Sequence, residues 1–134
     1  MRKIFPAILF ISFIINGCSK SSRISATDAL NEPPTIKVLS PSTIPVLKAG
    51  QNLIIKAVLT DKNMIAVASW EALQAAGLCG TNPYSEETQP WTFDYEMNIK
   101  FIVPSNFAGD QVLRIYAVDG TGNITTADVK YKAN

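Results

Sequence analysis

The sequence predicts an all-β protein, an antiparallel β-sandwich of about seven short strands behind an N-terminal export segment. Three observations lead there. Between residues 35 and 134, apolar and polar residues alternate with the period of a half-buried strand. Gly, Pro, Asn and Asp interrupt that alternation at short intervals, which is turn chemistry. No apolar pattern at helical spacing runs long enough to compete.

The chain opens with Arg2 and Lys3, then residues 4–15, which are apolar except for Ser12. A bilayer span needs about 20 apolar residues. This run is shorter and has the length of a signal-peptide h-region. Asn16, Gly17 and Cys18 follow. The stretch resembles a bacterial lipoprotein signal with its lipobox, with Asn16 standing where that family has a small residue. The resemblance implies that residues 1–17 are removed, that the Cys18 thiol and amine are acylated, and that the protein is held on a membrane by lipid. The competing readings are an ordinary cleaved signal peptide with an incidental cysteine, and an uncleaved anchor. Each buried CH₂ contributes roughly 0.8 kcal/mol, so two or more chains hold stably where one does not.

Residues 18–34 form the expected tether. Their Ser-rich, polar text ends in Pro33-Pro34, a stiff stop before the first strand. A flexible coil of this length reaches on the order of 20 Å, which keeps the domain near the membrane. Outward-facing lipoproteins of Bacteroidota carry acidic residues after the lipidated cysteine. Here Ser19, Lys20, Ser21, Ser22 and Arg23 stand there. By that resemblance the expectation is an outer-membrane anchor facing the periplasm.

The domain expected over residues 35–134 reads as follows. Residues 36–39 form a first strand, and residues 44–47 a second piece that Pro45 confines to an edge. Ala49-Gly50 makes a turn. Leu53, Ile55, Ala57 and Leu59 share the inner face of the next strand, and Asp61-Lys62-Asn63 is read as the turn that ends it. Residues 64–70 form another strand whose broken alternation predicts a bulge. Residues 71–76 either finish that strand or make a helical turn, the latter favoured by propensity.

Residues 77–90 are expected to be a long irregular loop, a feature that is often functional in a small domain. Phe93, Tyr95, Met97, Ile99, Phe101 and Val103 then alternate along one long strand or two. Leu113, Ile115 and Ala117 form the inner face of the following strand. Asp119-Gly120-Thr121-Gly122-Asn123 is a tight hairpin loop, and residues 124–131 are the last strand. The series Leu53-x-Ile55-x-Ala57-x-Leu59-x-Asp61, with Leu113-x-Ile115-x-Ala117-x-Asp119-x-x-Gly122-Asn123, resembles bacterial Ig-like domains, and most of all single-domain Ig-like lipoproteins of Bacteroidota. The resemblance implies an Ig-like sandwich and is nearly silent on function.

Composition narrows the chemistry. Without Arg2 and Lys3, ten Lys plus Arg face eleven Asp plus Glu. No basic patch supports a nucleic-acid partner. The chain has no His, the commonest general base and metal ligand. Of its two cysteines, Cys79 is left without an intrachain partner if Cys18 is lipidated. It reads as a small buried hydrophobe, or else as a free or intermolecular thiol.

Two candidate sites follow. In an Ig-like sandwich Asp61 and Asn63 come to the same end as Asp119 and Asn123. Their oxygens would suit Ca²⁺, or each serves its own turn. The aromatic side chains of Tyr84 and Trp91, near Asn82, Glu86 and Glu87, would contact a protein or glycan partner, while Trp70 reads as the core tryptophan. Glu86 and Glu87 are adjacent in a loop and do not form an acid–base pair across a cleft. No catalytic constellation is legible, so the expectation is a non-catalytic binding module with no cofactor.

Overall fold

The computed structural model describes residues 32–73 and 84–134. Cys18, Cys79, Asn82, residues 18–31 of the tether and residues 74–76 of the expected helical turn lie outside the described residues. The strands are β1 (Thr35–Ser40), β2 (Val46–Leu47), β3 (Asn52–Ala72), β4 (Ser85–Thr88), β5 (Thr92–Ile102), β6 (Gly109–Asp119) and β7 (Ile124–Ala133).

β3 joins the two layers. Its first half lies between β1 and β5, and its second half between β4 and β6. β7 pairs with β6, and β2 adds to β7 in parallel. One hydrogen-bonded sheet therefore folds over at residues 61–64 into the layers β1-β3-β5 and β4-β3-β6-β7-β2. This is the expected all-β, Ig-like sandwich.

The inner faces follow the alternation read from the sequence. Leu53, Ile55, Ala57 and Leu59 are buried from one layer, and Leu113, Ile115 and Ala117 from the other. Each fully buried Ile or Leu among them contributes about 1.5–3 kcal/mol. The bulge expected early in residues 64–70 is present as a register shift between Ile65 and Val67. It turns Ala68, Trp70 and Ala72 towards the core.

Two expectations are corrected. Asp61-Lys62-Asn63 does not end a strand, because β3 runs unbroken through it. The Asn63 N–H donates to Asp61 Oδ1 at 2.5 Å, which is the local bend foreseen there. The flanking segments are not hairpin partners, so the bend becomes a corner between layers. The second correction concerns residues 77–90, whose described part is not all loop. Residues 85–88 form β4, an edge strand laid along the second half of β3. Ser-Glu-Glu-Thr carries no apolar alternation, and backbone pairing alone makes it a strand.

Candidate functional site

The two ends of the sandwich have opposite character. At the end near the β5–β6 connection, aromatic rings close the core. Phe101 sits among Trp70, Tyr84, Phe107 and Tyr131, with ring centroids 5.9–6.2 Å apart. Tyr84 also stands edge-on to Phe107 at 5.5 Å. Such edge-on pairs are favoured by the ring quadrupole. Trp70 is partly buried and packs against the core, and its Nε1–H donates to Glu86 Oε2 at 3.3 Å. Tyr84, also partly buried, packs against the same ring cluster, apart from Trp91. The two residues lie beyond opposite ends of β4.

At the other end the β3 corner, the β4–β5 connection and the β6–β7 hairpin meet. The Gly120 N–H donates to the Met64 carbonyl at 3.1 Å. A Cβ on Gly120 would stand 2.8 Å from the Asn63 carbonyl oxygen and 3.8 Å from a Trp91 ring carbon, so the close approach requires glycine. Met64 and Trp91 both have positive φ, 66° and 47°. For non-glycine residues this conformation is strained by the order of 1 kcal/mol and persists only where the surroundings enforce it. Both side chains nevertheless face solvent, with Trp91 58% exposed.

The hairpin beneath them is fixed by Asp119, which is 2% exposed. Its Oδ1 accepts from the Thr121 N–H at 2.9 Å, the Thr121 hydroxyl at 2.8 Å and the Asn123 N–H at 2.8 Å. Oδ2 accepts from Asn123 Nδ2 at 2.9 Å. Burial pushes the Asp119 pKa up, but hydrogen bonds from Thr121 and Asn123 outweigh it and hold the group below its ordinary value. Gly122, at φ 92°, supplies the left-handed turn.

The structure brings Asp61, Asn63, Asp119 and Asn123 to this one end, as the sequence suggested. Asp119 is turned onto its own loop with both oxygens engaged, and Asp61 Oδ1 accepts from Asn63 within its own corner. Among the described residues no group of three or more acidic or cysteine side chains forms a metal cluster.

Beside the corner lies an open cleft of about 390 Å³. Phe93 forms one wall, with Asp61, Lys62, Asn63 and Asp94 around it. Phe93 is 51% exposed, although it continues the inward-facing series of β5. Glu86 and Glu87 are consecutive in β4, so their side chains leave on opposite faces and form no acid–base pair. Met64 and Gly120 escaped sequence reasoning because a strand-like Met and a turn Gly carry no functional signal. Only their contact across loops shows what they do.

The solved fibronectin(III)-like modules of Clostridium thermocellum CbhA resemble this chain, with a TM-score of 0.50 and 17% identity over 74% of this chain and 94% of theirs. The fold is fibronectin type III-like. No protein-family model matches the chain, and no curated protein matches it. The likeness therefore speaks to the sandwich, while the loop end must be read from its own chemistry.

Proposed function

We propose that the chain is a non-catalytic binding module, tethered to the bacterial outer membrane through lipidated Cys18 and facing the periplasm. The observation that carries the binding role is the pair Met64 and Trp91. Two large apolar side chains are held in solvent on strained backbone, above a hairpin locked by Asp119. Strain kept on a rigid support is a signature of contact surfaces. The signal-like segment before Cys18 and the short polar tether support the anchor.

The class of ligand favoured by the cleft is a glycan. A flat Phe93 ring beside carboxylate, amide and ammonium groups suits a sugar, which offers an apolar face and a rim of hydroxyls. A Ca²⁺-stabilised module is the second reading, in which Asp61 and Asp119 would have to exchange hydrogen bonds within their own turns for the cation.

Tryptophan fluorescence of the full chain against an envelope-glycan panel tests the site. Trp91→Ala and Phe93→Ala should each weaken binding at least tenfold with the melting midpoint kept. A panel that leaves the parent's signal unchanged removes the glycan reading. Cys18→Ala should release the protein from membranes, and retention would break the anchor.

A further inference from the structure

The edges of the two layers are unequal. β2 has two residues, β4 has four and β1 has six, whereas β5 has eleven. Natural sheets blunt their edges with short strands, proline or bulges. β5 contains no proline, and nine consecutive residues, Asp94 to Ile102, pair without a shift with β3. Among the described residues β5 pairs with β3 alone, so its other edge offers a ladder.

The parity of that ladder is fixed. Val103 donates to the Gln51 carbonyl and accepts from the Gly50 N–H, so odd-numbered residues of β5 point their backbone groups at β3. On the far side of β3, the Lys56 N–H points to Ser40 in β1, which fits the same alternation. Asp94, Glu96, Asn98, Lys100 and Ile102 therefore turn N–H and C=O groups to the free edge. The same five residues are exposed.

The charges along this edge run acidic, acidic, neutral, basic. Asp94, Glu96 and Lys100 make no ion pair among the described residues. An antiparallel copy of the same edge, with its two-fold axis at Asn98, sets Glu96 opposite Lys100 twice and Asn98 opposite itself. Axes at Glu96 or Lys100 would set like charges face to face. Opposite charges directly across a pair stabilise it, and like charges do the reverse. An isologous two-fold contact needs this kind of self-complementarity.

We propose that β5 is a self-association edge, on which a second copy of this chain adds antiparallel about Asn98 to make one continuous six-stranded layer from two domains. Asp94 borders both this edge and the Phe93 cleft, but Asn98 and Lys100 lie outside the cleft, so variants there test the edge without touching the binding site.

Sedimentation of the full chain in detergent, over a concentration series, tests it. A dimer is expected. Lys100→Glu should raise the dissociation constant at least tenfold, and so should Glu96→Lys. An equimolar mixture of those two variants should restore association, because each acid again meets a lysine. Asn98→Pro removes an N–H that serves no partner among the described residues, so it should abolish the dimer while leaving the melting midpoint unchanged. A parent that stays monomeric overturns the proposal. So does a dimer that survives both Asn98→Pro and Lys100→Glu.

Discussion

The sealed end and the open end of this sandwich are built from the same strands, yet they use aromatic residues in opposite ways. At the sealed end Phe101 gathers Trp70, Tyr84, Phe107 and Tyr131 around it, and the rings hold the layers together. At the open end Trp91 and Phe93 are more than half exposed, and hydrogen bonds to Asp119 do the holding. A polar lock frees apolar side chains from core duty. That division lets a small domain remain stable and still keep large aromatic side chains in solvent.

The comparison can be broken most forcefully at Phe101. Phe101→Ala removes the shared partner of four rings, and a loss of about 3–5 kcal/mol is expected in chemical denaturation. A loss under about 1 kcal/mol would mean the rings do not carry that end.

Asp119→Ala should come next, costing about 2–3 kcal/mol, because the Thr121 and Asn123 N–H groups and the Thr121 hydroxyl lose a charged, buried acceptor. Its pKa is lowered in the folded state. Its contribution is therefore complete above the unfolded-state value near 3.8 and disappears as pH falls through the lower folded value. The parent should lose stability across that acid range. The alanine variant should lose less, and identical acid profiles would show that the carboxylate is not the lock.

Tyr131→Phe sharpens the sealed end. The Tyr131 hydroxyl is buried without a hydrogen-bond partner among the described residues, and burial raises its pKa from 10.0 to about 12. Removing it should leave stability unchanged or raise it by about 1 kcal/mol. The parent should weaken as pH rises from 10.0 to about 12, since only the unfolded chain ionises there. The variant's alkaline slope should be shallower. The smallest effect is expected at Trp91→Gly, which relieves positive φ at an exposed site and should shift stability by under about 1 kcal/mol. A larger loss would make Trp91 structural and remove it as a contact residue.

Much of the fold was legible because period-2 patterning reports burial directly. Leu53, Ile55, Ala57 and Leu59, and likewise Leu113, Ile115 and Ala117, are buried as their spacing required. The bulge before Val67 was visible as a broken alternation. β4 was not legible, since Ser85, Glu86, Glu87 and Thr88 owe their strand to the neighbouring β3 backbone. Of the two candidate contact rings, Trp91 stands exposed while Tyr84 is partly buried against Phe101 and Phe107. Both are aromatic residues flanking one irregular stretch, and nothing local says which one faces the core.

By itself the sequence determined the strand faces and the hairpin chemistry of Asp119 and Asn123. These are local properties, set by side-chain period and turn preference. The tertiary structure alone decided that β3 is one strand shared by two layers and that Gly120 presses against Asn63. It alone exposed Trp91 at positive φ and left one edge of β5 unpaired among the described residues. Each of those depends on which distant backbone arrives alongside, and that choice is made by burying the whole core at once.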